Sequence, residues 1–239
     1  MSFYLDCHLH SFEKYDFSSF SLSDDLAFCT VSSDLNDFSN IETFSKVPNN
    51  IIIKKAFGIH PWKTDFSQFD SLQTLLNKNK VQAIGEIGLD FFSDELKADK
   101  SNQIKVFLEQ IKLAKENSLP VIIHLRSAIA QLFENIRELQ DLKAVIFHAF
   151  PGSPQEALSI LKKVPQSYFS FGASLLSGRK NSLRCIKELD VKHILLESDF
   201  PFQKINTVLP LYKSLADIKG LSEESLCSII SDTFHEIFS

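Results

Sequence analysis

VQAIGEIGLD, Val81 to Asp90, is a short apolar run that ends abruptly in a glycine, a carboxylate and a second glycine. Val81, Ala83 and Ile84 predict a buried strand, too short for a helix and closed by Gly85. A carboxylate just past such a strand is costly to desolvate unless something pairs with it. Glu86 therefore calls for nearby positive charge. Four other apolar runs end in the same manner, each with histidines or an aspartate at its carboxyl end. They are FYLDCHLH (3–10), VIIHLR (121–126), AVIFHAF (144–150) and ILLESDFPF (194–202). The five together read as one metal site.

Working outward, residues 3–10 predict the first strand. Side chains alternate along a strand, so Asp6, His8 and His10 share one face while Cys7 and Leu9 share the other. Residues 11–25 are polar and aromatic without clear period and read as a loop. Further strands are expected over 26–32, 51–59, 120–124, 144–148, 168–172 and 194–198, with the opening stretch as the fourth of eight. Between them lie helical patterns near 38–47, ended by Pro48, and over 66–76, 102–116, 128–139 and 181–189. Ser153, Pro154 and Glu156 spell the start of another helix, as N-cap, first residue and capping box. Two helices close the chain, 205–218 and 222–238, separated by Gly220 and with Ser222 as a cap.

Strands alternating with helices predict an α/β fold with a parallel sheet, and eight such units suit a (β/α)8 TIM barrel. The length of 239 residues fits one barrel domain, which typically runs to about 250 residues. No linker rich in Gly, Pro or Ser divides the chain, so residues 1–239 are expected to form a single domain. In such barrels the functional residues sit at the carboxyl ends of the strands. His8, His10, His60, Glu86, His124, His148 and Asp199 all fall there, on six different strands, and a closed barrel gathers them in one mouth. The remaining histidines, His193 and His235, read as structural or solvent-facing.

Composition narrows the functional classes. Apolar residues at 44% and charged residues at 23% are ordinary for a soluble globular protein. A net charge of -5 argues against a protein that coats nucleic acid. It leaves a nuclease open, because bound cations can supply the positive charge that meets a phosphate. The 22 phenylalanines, against one methionine and one tryptophan, read as a coding bias. Cys7, Cys29, Cys185 and Cys227 stand far apart with no CxxC pair, as expected of reduced cysteines in a cytosolic fold. Met1 leads straight into a strand, with no signal-peptide pattern, and no apolar run is long enough to span a bilayer. A cytoplasmic protein is expected.

DCHLH (6–10), GIHP (58–61), GEIGLD (85–90), IIHLR (122–126), HAFPGS (148–153) and LLESDFP (195–201) resemble, in order and spacing, the signatures of the TatD-like metal-dependent deoxyribonucleases. That family lies within the wider amidohydrolase group of metal-bearing barrels. The resemblance covers roughly Asp6 to Phe202. It implies two divalent metal ions, with Mg, Mn or Zn as candidates. His8 and His10 would hold the first, with Asp199 as a further ligand, Glu86 would bridge the two, and His124 and His148 would hold the second. Asp6 would orient His8 or His10, and His60 and Arg126 would face the substrate. Asp90 is open between a structural and a functional role. The implied reaction is hydrolysis of phosphodiester bonds at DNA ends or in short oligonucleotides, of the 3'-5' exonuclease type, with Asp199 accepting the proton of the attacking water. No membrane or obligate protein partner is implied.

Three stretches depart from the family's pattern. QKINTVLP (203–210) stands where an Arg-Asn-x-Pro segment is usual, TFHEIF (233–238) replaces the family's asparagine in the last helix, and Ser11-Phe12 replaces a Leu-Asp pair. None touches an implied ligand. The alternative on the same scaffold is an amidohydrolase or esterase acting on a carbonyl, because fold does not settle the substrate. A catalytically silent binding barrel is the reading from another class.

Overall fold

The computed structural model describes residues 3–21, 24–33, 35, 36, 38, 39, 51–203, 205 and 207–239. Eight strands lie side by side in chain order: β1 (Tyr4–Leu9), β2 (Leu26–Ser32), β3 (Ile51–Phe57), β4 (Ala83–Asp90), β5 (Val121–Arg126), β6 (Val145–Phe147), β7 (Ser167–Phe171) and β8 (Ile194–Leu196). Each neighbouring pair is parallel. Backbone just past β8 reaches back to β1, where Asp199 N–H donates to the His8 carbonyl (2.9 Å) and His10 N–H to the Phe200 carbonyl (2.8 Å). These bonds bring the two ends of the sheet together, and the expected (β/α)8 barrel results.

Nine described helices follow the strands: α1 (Gln68–Asn77), α2 (Asp94–Ala98), α3 (Lys100–Glu116), α4 (Ile129–Glu134), α5 (Pro154–Lys163), α6 (Ala173–Leu176), α7 (Lys180–Glu188), α8 (Leu209–Lys219) and α9 (Glu223–Phe238). The capping box of α5 forms as its sequence dictates, with Ser153 and Glu156 each bonding the other's backbone N–H. Gly220 ends α8 in the left-handed region at φ 64, and Ser222 caps α9. Helix α8 begins at Leu209 rather than near Ile205, with Pro210 in its first turn, where a missing N–H costs nothing. Residues 11–25 hold two short 3-10 turns, Phe12–Lys14 and Phe17–Ser19, within the expected loop. The helix expected over 38–47 falls largely outside the described residues. No helix among the described residues is long and apolar enough to cross a membrane.

Strand β4 differs from expectation in one respect that shapes the site. It does not close at Gly85 but runs on to Asp90, so Glu86 lies inside the strand rather than past it. The ladder to β5 shifts register between Ile84 and Ile87, which turns the Glu86 side chain into the barrel mouth. Gly88 makes the close approach possible. At φ 145 a side chain is disfavoured, and a Cβ there would stand 2.0 Å from the His124 carbonyl oxygen. Glycine thus lets β4 and β5 sit close enough to bring Glu86 and His124 together.

Many of the phenylalanines fill the core. Among the described residues, ten of the twelve largest fully buried side chains are Phe. Phe147 and Phe169 stack at 5.5 Å, with Phe150 edge-on to Phe169 at 4.6 Å. All four cysteines are buried and free. His193 Nδ1 lies 2.9 Å from the Ser167 carbonyl, a structural contact, and His235 is exposed, packed edge-on against Phe3.

Candidate metal centre

The carboxyl ends of β1, β4, β5 and β6 and the turns after β3 and β8 converge on one carboxylate. Its two oxygens serve different sides. Glu86 Oε2 faces His8 Nε2 at 3.5 Å and His10 Nε2 at 3.6 Å. Glu86 Oε1 faces His124 Nδ1 at 2.7 Å, His148 Nε2 at 2.9 Å and His60 Nε2 at 3.3 Å. Asp199 Oδ1 completes the Oε2 side, 3.5 Å from His10 Nε2 and 3.8 Å from His8 Nε2. Glu86 and His8 are buried, so neither carboxylate nor imidazole is solvated away from its neighbours.

Whether this donor set suits cations can be judged from its spacing. Oxygen and nitrogen ligands about 2.0–2.2 Å from a small cation such as zinc stand roughly 3.0–3.6 Å from one another. On the Oε2 side the His8 and His10 Nε2 atoms are 3.1 Å apart, and their separations from Glu86 and Asp199 fall at or near that range. Two imidazole nitrogens facing each other this closely are a natural chelate. On the Oε1 side the shorter contacts are hydrogen bonds, in which protons on the imidazoles link groups that a cation would otherwise link. The sets His8, His10, Glu86 and His60, Glu86, His124 each bring three ligand atoms within 4.8 Å of one another. Imidazole and carboxylate in this proportion fit a divalent transition ion.

Electrostatics separates the two sides as well. Burial would raise the Glu86 carboxyl, but the His148 charge and hydrogen bonds from His124, His148 and His60 hold it well below the usual range. Burial works to lower His148, and Glu86 and Glu197 overcome it, placing that imidazole well above its ordinary value. His124 is raised in the same way by Asp90 and Glu86 against its burial. His8, by contrast, is lowered by burial and by the His148 charge. Asp199 stays below its ordinary value because contacts with His10, His8 and His148 outweigh its burial.

The surrounding shell contains residues that the sequence placed and one that it did not. Asp90, fully buried, has a definite partner: its Oδ2 lies 3.1 Å from His124 Nε2 and accepts the Trp62 indole N–H at 2.7 Å. Asp6 departs from expectation. Instead of orienting an imidazole, its Oδ1 accepts the backbone N–H of Ser198 (2.9 Å) and His8 (3.4 Å), tying β1 to the turn after β8. Burial pushes the Asp6 carboxyl up to about 7. Glu197 falls within the strand expected over 194–198, and the sequence assigns it no site role. It is fully buried, accepts the Ala149 N–H at 2.8 Å and the Ser170 hydroxyl, and lies 3.5 Å from His148 Nδ1. The signal was available, since a carboxylate after Ile194-Leu195-Leu196 poses the same desolvation problem as Glu86.

Above the cluster opens a cavity of about 820 Å³. His10, His60, Glu86, His124, His148 and Asp199 form its floor. Arg126, the last residue of β5, is at its rim with the guanidinium 3.6 Å from the centre of the Phe92 ring. Lys63 and Arg179 also line it, and none of these three cations makes a salt bridge among the described residues. Trp62, Phe92 and Phe202 add exposed aromatic faces.

Comparison with known proteins accords with this geometry. The family model described as TatD related DNase matches residues 5–239. The chain is 32% identical over 202 residues to the uncharacterized metal-dependent hydrolase YabD of Bacillus subtilis, covering 78% of this chain and 77% of that protein. It is 28% identical over 264 aligned positions to deoxyribonuclease TATDN3 of Homo sapiens, covering 98% and 94%. Among solved structures, YjjV, a TatD homologue from Escherichia coli K12, superimposes with a TM-score of 0.80 at 23% identity, covering 98% of this chain and 97% of that one.

Proposed function

The chain belongs to the TatD related DNase family, and from that premise we propose that it is a metal-dependent hydrolase of phosphodiester bonds, acting on DNA ends or short oligonucleotides as a 3'-5' exonuclease. The observation that carries this reading is the divided Glu86 carboxylate, with one oxygen toward His8 and His10 and the other toward His60, His124 and His148. A carboxylate shared in this way suits two ions side by side. His8, His10 and Asp199 would hold one, His124 and His148 the other, and Glu86 both; His60 stands close enough to Glu86 to serve either the ions or the substrate. Mg, Mn and Zn are all compatible with these ligands. Bound divalent ions supply Lewis-acid charge to phosphate oxygens and make a water molecule acidic near neutral pH.

The protein's own residues account for the rest of the chemistry. Asp199 remains ionised at neutral pH, faces the cavity and accepts a proton from the attacking water. Gln203 donates to its Oδ2 at 2.9 Å, which leaves Oδ1 directed toward the cluster. Arg126 is free to give a bidentate contact to a phosphate oxygen, and its stacking on Phe92 limits the orientations the guanidinium samples. The indole of Trp62, anchored by Asp90, offers a face to a base. The cavity volume lies in the range of small-ligand pockets and suits a strand end better than an intact duplex. The whole chain would act as one hydrolase domain in the cytoplasm, where its four free cysteines stay reduced.

The test compares leaving chemistry directly. Protein loaded with each ion is offered a nitrophenyl phosphodiester and DNA oligonucleotides, beside a nitrophenyl carboxylic ester, a lactone and an amide. Preference for the phosphodiesters by orders of magnitude in kcat/KM is expected. Faster turnover of the carbonyl substrates would move the assignment to an amidohydrolase or esterase.

A further inference from the structure

Two of the three imidazoles beside Glu86 Oε1 have a buried carboxylate behind them. For His124 it is Asp90, at 3.1 Å from Nε2; for His148 it is Glu197, at 3.5 Å from Nδ1. Among the described residues His148 Nδ1 makes no hydrogen bond at that distance, and neither does His8 Nδ1 on the other side of Glu86, so Glu197 meets the His148 ring as a facing charge. Glu197 is itself fixed. Ser170 donates to its Oε2, and the Ala149 N–H donates to its Oε1 at 2.8 Å. Ala149 sits at φ 42, in the region that residues with a Cβ disfavour, so this bond also secures the strained turn that follows His148. No Lys or Arg pairs with Glu197 among the described residues. A fully buried carboxylate without a cation is expensive, and the His148 ring is the group that faces it.

We propose that Glu197 is the positioning residue of His148. Through Oε1 it sets Nδ1 as the protonated nitrogen and so leaves Nε2, the atom 2.9 Å from Glu86, with its lone pair toward a bound ion. Glutamate suits the task because its two oxygens divide the work: Ser170 takes Oε2, and Oε1 serves the ring and the Ala149 amide together. This inference rests on the metal-dependent reading above and adds to it an assignment for a residue outside the ligand set.

The experiment is a calorimetric titration of chelated protein with Zn or Mn, using wild type, Glu197→Gln, His148→Ala and the double variant. Wild type is expected to take up two ions. Glu197→Gln should keep one at wild-type affinity and bind the other about 10–100-fold more weakly, and the weakened ion should be the one lost in His148→Ala. In the double variant Glu197→Gln should add nothing further. Activity of Glu197→Gln should return at high metal concentration with an unchanged KM for DNA. Wild-type affinity for both ions in Glu197→Gln, or equal weakening of both, would overturn the proposal. If Glu197→Gln does not fold, Ser170→Ala tests the same link, with a several-fold weakening of the same ion expected and no change overturning it. A wild type that binds no divalent ion would instead overturn the metal-dependent reading, and this inference with it.

Discussion

Asp90→Asn is the sharpest probe of how the site is built, because it changes one atom of a fully buried side chain. The carboxylate answers three donors: His124 Nε2 and Trp62 Nε1 on Oδ2, at 3.1 and 2.7 Å, and the Phe92 N–H on Oδ1 at 2.9 Å. Burial would raise Asp90, but these bonds overcome it and lower the carboxyl from the ordinary 3.8 to about 2. That depression favours the charged form by about 2.5 kcal/mol at roughly 1.36 kcal/mol per pH unit. An asparagine has one acceptor for the three donors, and its amide N–H groups would face two of them. The expected loss in metal-free protein at pH 7 is therefore about 2–3 kcal/mol, or roughly 5–10 °C in Tm for a chain of this size. The sign with pH follows from a lowered carboxyl. Its stabilisation is complete above 3.8 and is lost as pH falls through 2, so the gap between wild type and variant should be constant from neutral pH to about pH 5 and close below about pH 4. Urea unfolding of chelated protein across that range measures it. A gap under about 0.5 kcal/mol at pH 7, or one that persists unchanged to pH 2, would refute the reasoning.

Three further outcomes are expected. His124 and His148 lie above their ordinary values while His8 lies below its own, so ion uptake should expel protons from the Oε1 side and weaken as pH falls below neutral. Calorimetry in buffers of different ionisation enthalpy counts those protons. Arg126→Ala should raise KM for oligonucleotides by about 10–100-fold, the worth of one charge-assisted contact, with kcat changed far less; steady-state kinetics on substrates of equal length decides. Phe169→Ala, which empties a fully buried site between Phe147 and Phe150, should cost about 3–5 kcal/mol in denaturant unfolding, and Phe169→Leu less than about 1.5.

Much of this architecture could be read from residue order because strand-end chemistry is local. β2 spans the expected residues, and the capping box opens α5 where Ser153 and Glu156 stand. His8 and His10 share a face because they are two apart on a strand, and Glu86 stood out because a buried carboxylate needs a partner. What escaped depends on contacts between distant segments. Asp6 bonds a backbone amide 192 residues away, and nothing near it in sequence announces that choice over an imidazole. The extension of β4 through Glu86 depends on how Gly88 lets β5 approach, a packing matter. The many phenylalanines read as a bias of composition until the barrel interior shows where they lie. Glu197 is the instructive omission. The desolvation argument that singles out Glu86 applies to it equally, since it too is buried, but Asp199 two residues on offers a more obvious ligand.

The measurement that bears most directly on the central claim is degradation of end-labelled single-stranded DNA by chelated protein, with Mg, Mn or Zn added back, beside Glu86→Gln. The account predicts no cleavage without metal, recovery in the wild type alone, and a ladder that shortens from the 3' end. Cleavage by Glu86→Gln at the wild-type rate, or intact DNA in the presence of wild type with its ions bound, would contradict it.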